Sequence, residues 1–94
     1  MSNKRKTVRV IITRKEENKI VSFVLMYRER DGEIYYVTIG GGIETGESEM
    51  TALLREIQEE SGLEVSIERK IDQRHEMHDG LDDEISIYLA TYIS

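Results

Sequence analysis

Glu47, Arg55, Glu56, Glu59 and Glu60 are the residues of this sequence whose types and spacing can do chemistry. Placed at about 100° per residue, Glu56, Glu59 and Glu60 fall on one helix arc, because offsets of three and four residues share a face. Arg55 flanks that arc and lies four residues before Glu59. A solvated acidic face is the ordinary reading of such a cluster, and two costs weigh against it here. Glu56 and Glu60 are like charges at i,i+4, a repulsion of a few tenths of a kcal/mol. Glu59 and Glu60 also occupy the last turn, where the helix dipole disfavours anions by roughly 0.3–1 kcal/mol each. Clustered hard oxygen donors with no built-in counter-charge suit Mg²⁺ or Mn²⁺.

The elements that must position these residues follow from periodicity. Thr7 to Thr13 alternates with Val8, Val10 and Ile12 on one face and reads as a strand. Ile20 to Tyr27 is apolar enough for a buried strand, Asp31-Gly32 marks a tight hairpin turn, and Glu33 to Ile39 forms the return strand. Gly40, Gly41 and Gly42 then mark a backbone that needs positive φ or a close approach. From Ser48 to Ser61 the period becomes helical, with Ser48 as N-cap and Gly62 at the C′ position. Met50, Leu53, Leu54 and Ile57 form the arc expected to face the sheet. Leu63 to Ile71 reads as a strand, Gln73 to Asp83 as a polar loop, and Glu84 to Ile93 as a closing strand. The expectation is an α+β domain spanning residues 1–94, a mixed sheet with one helix and one sheet face poorly covered.

Composition excludes several classes. The chain has 94 residues, no cysteine and no proline, so disulfides and thiolate metal sites are ruled out. No apolar run approaches the roughly 20 residues of a membrane-spanning helix, and no secretory signal is visible; a cytoplasmic location is the expectation. A net charge of −6 argues against a nucleic-acid polymer as partner. The charge is uneven. Lys4, Arg5, Lys6, Arg9, Arg14 and Lys15 make the start basic, and the acids concentrate from Glu44 onward. An anionic phosphate substrate would therefore need a cation beside the glutamates. A bare sheet edge or face predicts association, such as a homodimer.

From Gly41 to Leu63 the chain reads Gly41, five residues, Glu47, seven residues, then Arg55-Glu56-Ile57-Gln58-Glu59-Glu60-Ser61-Gly62-Leu63. This resembles the box of the Nudix (MutT-like) hydrolase family at every fixed position. Ile39 stands before the glycines where many relatives have proline. The resemblance implies a mixed sheet in an α/β/α sandwich, with the box as loop, helix and loop. It further implies a C-terminal strand and helix beyond the elements read here, so the expectation is a truncated domain or else a minimal form completed by a partner.

The resemblance also implies an activity: hydrolysis of a nucleoside diphosphate linked to a variable group X, with Mg²⁺ or Mn²⁺ as cofactor. Glu56, Glu59 and Glu60, with the Gly41 carbonyl, would be the metal ligands, Glu47 a supporting acid, and Arg55 the residue that orients the carboxylates through Glu59. The acceptor of the water proton is Glu59 or Glu60, or a later acid, for which Asp82, Asp83 and Glu84 are candidates. Arg9, Arg28 and Arg30 are candidates for substrate phosphates, and Tyr27, Tyr35 and Tyr36 for a base, Tyr36 foremost. His75 and His78 have metal-like spacing but no third ligand nearby, so solvent-exposed loop histidines are expected. The alternative is a Nudix-fold module that binds or senses a nucleotide without cleaving it.

Overall fold

A computed structural model describes residues 3–94. Seven strands and one helix follow in the order β1 (Asn3–Glu16), β2 (Lys19–Val24), β3 (Met26–Arg30), β4 (Glu33–Val37), β5 (Ile39–Gly42), α1 (Glu49–Glu60), β6 (Val65–His78) and β7 (Leu81–Tyr92). Five strands make a mixed sheet in the order β2-β1-β7-β6, with β5 also paired to β1, and β3 and β4 form a separate hairpin. β1 is long enough to serve three partners. Its parallel pairing with β7 covers Asn3 to Thr13, while β5 and β2 pair antiparallel with it in tandem, at Thr7–Val10 and Ile12–Glu16.

Alternation along β1 decides what lies on each face. Val8, Val10 and Ile12 are fully buried and pack with Ile39, Ala52, Leu53, Ile57 and Ala90 into the core between sheet and helix. The intervening residues Arg5, Thr7, Arg9 and Ile11 belong to the opposite face by strand period. Among the described residues α1 is the only helix, so this second face has no helical layer and Ile11, Ile85, Ile87 and Leu89 on it are only half-buried. The expected poorly covered face is therefore present, and the helical part of the sandwich is one layer. Ile20, Phe23, Leu25, Ile34 and Tyr36 are also exposed. No helix among the described residues is long and apolar enough to cross a membrane.

Three departures from the sequence expectations have physical causes. Ile20 to Tyr27 is not one buried strand. Leu25 interrupts it, and β2 pairs with β1 whereas β3 turns away to pair with β4. The polar run Gln73–Asp83 is not a loop, because β6 continues through it in a ladder that pairs Gln73 with Ser86 and His75 with Glu84. The turn shrinks to Asp79-Gly80, both at positive φ, as in the Asp31-Gly32 turn of the hairpin. The helix also presents a rotated face. Ala52, Leu53 and Ile57 are buried, while Met50 and Leu54 are exposed. Residues 52, 53, 56, 57 and 60 share the inward stripe by helical spacing, which brings two of the glutamates toward the sheet.

Candidate active site

The helix is placed by its ends. Ser48 is the N-cap, its Oγ accepting the Thr51 amide at 3.1 Å. Ser61 closes the last turn, and Gly62, at φ +65, donates to the carbonyls of Ile57 and Gln58. The last turn contains no basic residue, so the carboxylates there have no local compensation for the helix dipole.

Arg55 gathers the acids. Its Nε and Nη2 donate to the two oxygens of Glu47 at 2.8 and 2.9 Å, a bidentate pair. Nη1 donates to Glu56 at 3.0 Å and to Glu59 at 3.3 Å, and Nη2 also donates to the Gly42 carbonyl at 3.1 Å. Orientation of the acids thus runs through Glu47 and Glu56 more closely than through Glu59. The Arg55 guanidinium, helped by the Glu44 amide at 2.9 Å, holds the Glu47 carboxyl down at about 2. The hydrogen bond to Glu47 raises the pKa of Arg55 in turn. Replacing Arg55 by lysine keeps the charge and removes the fork. Arg55→Lys is expected to lower kcat/KM roughly 10²-fold with little change in fold; steady-state kinetics beside circular dichroism check it, and unchanged kinetics would show that the fork is dispensable.

Glu56 and Glu60 are the inward carboxylates, with side chains only 13% and 15% exposed. Gly41 makes room for the first: a Cβ there would sit 2.5 Å from Glu56 Oε1. Among the described residues Glu60 Oε2 is buried without a hydrogen-bond partner, and the cation paired with it, Arg28 Nη2, is 3.9 Å away, beyond hydrogen-bond reach. Burial first, then the adjoining Glu56 carboxylate, push the Glu60 carboxyl up to about 7, against the pull of the Gly40 amide and Arg28. Glu59 is different, its side chain 59% exposed and its ion pair made with Arg55 alone among the described residues.

As they stand, no three acidic or imidazole side chains among the described residues are close enough to enclose an ion. The chemistry of the donors nevertheless fits a hard divalent cation. An orphaned buried carboxylate oxygen, a second carboxylate against it and a glycine cradle meet at one place, and Glu59 lies on the same helix one residue before Glu60, held by Arg55.

The later acids are engaged elsewhere. Asp83 is buried and accepts from Thr7 Oγ1 at 2.7 Å, Asp82 lies 3.3 Å from His75 Nδ1, and Glu84 bonds Gln73. His75 is exposed as expected, now on a strand, and the side chain of His78 lies outside the described residues. Arg9, Arg28 and Arg30 come together around a pocket of about 540 Å³ that reaches Gly40 and Gly41. Tyr36 does not join them. It stacks edge-to-face on Tyr27 at 5.9 Å, and strand alternation puts it on the other side of the hairpin from Arg28; Tyr35, opposite Arg28, lines the pocket instead. Sequence reading missed Arg5, which also lines this pocket. Its signal was the alternation that puts it on the same face of β1 as Arg9.

The sequence pattern of the NUDIX domain matches residues 3–92. The chain belongs to the Nudix family. Solved structures superpose on nearly all of it. An Ap4A hydrolase from C. elegans has 23% identity and a TM-score of 0.74, covering 93% of this chain and 67% of that one. A NUDIX hydrolase from Nitrosomonas europaea has 24% identity and a TM-score of 0.76, covering 96% and 60%. MutT from methicillin-resistant Staphylococcus aureus 252 has 26% identity and a TM-score of 0.66, covering 97% and 68%. The chain thus spans 60% to 68% of the length of these three proteins. No curated protein is similar enough in sequence to match it. In this Nudix chain the box residues Glu47, Arg55 and Glu56 form one connected network, and Glu60 adjoins it through Glu56.

Proposed function

We propose that this Nudix domain is a pyrophosphohydrolase that cleaves a nucleoside diphosphate linked to a second group by attack of water on phosphorus. Glu56, Glu59, Glu60 and the Gly41 carbonyl would hold Mg²⁺ or Mn²⁺. The observation that carries the reading is Glu60 Oε2, a buried carboxylate oxygen without a hydrogen-bond partner, beside a second carboxylate. A buried anion in that state is costly unless something positive completes it. A bound divalent cation supplies neutralisation of the phosphoryl oxygens and acidifies water at neutral pH.

The chain's own residues do the rest. Arg55 holds Glu56 through Nη1 while its bidentate fork keeps Glu47 as its counter-ion. The exposure of Glu59, the greatest of the three helix carboxylates, supports it as the acceptor of a proton from an attacking water if Glu56 and Glu60 carry the metal. Asp82, Asp83 and Glu84 are each tied to β1 or β6 partners, which favours a base within the box. The similar structures include one named as an Ap4A hydrolase, in keeping with a nucleotide-type small molecule as the partner.

Mg²⁺-dependent product release from a panel of nucleoside diphosphate derivatives, resolved by chromatography, tests the reading. Glu59→Gln is expected to lower turnover roughly 10²- to 10⁴-fold. Intact turnover in Glu59→Gln would remove Glu59 from the chemistry, and absence of turnover from the parent chain on every derivative would favour the non-cleaving alternative.

A further inference from the structure

The three consecutive glycines serve two faces of the sheet. Strand alternation points Gly41 toward the helix, where Glu56 fills the space a Cβ would occupy. Gly40 and Gly42 point the other way. A Cβ on Gly40 would meet Arg9 Cδ at 2.9 Å, and one on Gly42 would meet Arg5 Nη2 at 3.4 Å. The outer glycines therefore let two arginines of β1 lie across β5 on the face opposite the core. Arg9 is anchored there, Nη1 donating to the Thr38 carbonyl at 2.8 Å.

The hairpin completes this arrangement. Arg28 and Arg30 share one face of β3, with Tyr35 opposite Arg28 on β4. Together with Arg5 and Arg9 they line the pocket of about 540 Å³. Four guanidiniums around one pocket repel one another, in a chain whose net charge is −6. Their carboxylate partners among the described residues are few: Arg5 and Arg9 have no ion pair, Arg28 has Glu60 at 3.9 Å, and Arg30 has its exposed neighbour Asp31 at 3.9 Å. Such a cluster matches a polyanion with planar, bidentate phosphate recognition.

The pocket adjoins the carboxylate site. Gly40 and Gly41 bound it, the Gly40 amide faces Glu60, and Arg28 reaches toward Glu60 from the hairpin. We propose that Arg5, Arg9, Arg28 and Arg30 bind a phosphate chain that extends past the anhydride held at the glutamates. The domain thereby selects substrates with three or more phosphates, nucleoside triphosphates or dinucleoside polyphosphates, over diphosphate diesters such as nucleotide sugars. This selection rests on the hydrolase reading above, but the pocket's affinity for phosphate chains does not. A diphosphate diester carries two negative charges and leaves part of the cluster uncompensated, whereas a longer chain spreads charge over all four arginines.

The test is calorimetric titration of the full chain with inorganic tripolyphosphate and with pyrophosphate, in EDTA and at constant ionic strength. Tripolyphosphate is expected to bind roughly tenfold more tightly than pyrophosphate. Arg5→Gln with Arg30→Gln, two exposed positions whose loss leaves the fold intact, is expected to reduce tripolyphosphate affinity at least about tenfold. Arg14→Gln, a basic residue outside the pocket, is expected to leave affinity within about twofold. Equal affinity for the two anions, no binding, or equal losses in the Arg14 and Arg5/Arg30 variants would overturn the proposal. Because no metal and no turnover enter this measurement, its failure is separable from failure of the hydrolase reading.

Discussion

In metal-free buffer above pH 7, Glu60→Gln is expected to melt several degrees higher than the parent chain, while metal-dependent turnover falls roughly 10²-fold or more. The first half follows from the folded-state pKa. Burial and the neighbouring Glu56 carboxylate hold the Glu60 carboxyl at about 7, above its ordinary value of 4.5. Between those two values the folded chain keeps a proton that the unfolded chain has released. Folding stability therefore declines as pH rises through this window and levels off above it. A glutamine carries no charge to bury, and its amide can donate to Glu56 where the protonated acid would. The gain is on the order of 1 kcal/mol, discounted because solvent still reaches part of the pair. For a domain of this size that is about 4–8 °C in melting temperature. Below about pH 4.5 the two chains should melt together.

The second half follows from the same oxygen. Among the described residues the Glu60 Oε2 atom has no hydrogen-bond partner, so a cation would satisfy it once the group is ionised, and glutamine supplies a weaker, neutral ligand. Stability and activity are thus expected to move in opposite directions on one substitution. Thermal melts in EDTA from pH 4 to 8, paired with Mg²⁺-dependent turnover, decide it. A lower melting temperature for Glu60→Gln at pH 8 would mean that Glu60 is a structural group whose ionised form the fold accommodates without a metal.

How much of this was legible in the sequence depends on the range of the interactions. The helix, its Ser48 cap and its Gly62 stop are local, set by side chains within four residues of the backbone they satisfy, and they fall where spacing puts them. The box carries its own geometry for the same reason, since Arg55, Glu56 and Glu59 meet within one helical turn. The inward turn of Glu56 and Glu60 was less visible. An apolar arc drawn through Met50 and Leu54 leaves out the room that Gly41 makes for the Glu56 carboxylate, so the helix buries Glu56 and exposes those two residues. The stretch Gln73–Asp83 was illegible because β6 is an edge strand whose outer half is polar except for Met77, leaving no alternation to read along it. The arginine pocket joins β1 to a hairpin that shares no ladder with it. Alternation could place Arg5 and Arg9 on one face, but nothing local says which element closes over them.

The glycines separate fold from chemistry. Gly40→Ala is expected to destabilise the domain by on the order of 3 kcal/mol or more, lowering the melting temperature by roughly 10 °C or more. Its Cβ would lie 2.1 Å from the Val8 carbonyl oxygen and 2.9 Å from Arg9 Cα. Both atoms belong to the β1 backbone, held between β5 and β7, so relief requires parting a ladder. Gly41→Ala meets only side chain: Glu56 Oε1 at 2.5 Å, Cδ at 2.7 Å and Oε2 at 2.9 Å. Glu56 can swing away to another staggered rotamer, which breaks its 3.0 Å bond to Arg55. The melting temperature should then shift only slightly, whereas turnover falls at least about tenfold, because a displaced carboxylate no longer meets Glu60. If Gly41→Ala unfolded the chain as Gly40→Ala does, the glycine would serve the strand and not the carboxylate. If it left both stability and turnover unchanged, Glu56 would have no fixed seat in catalysis.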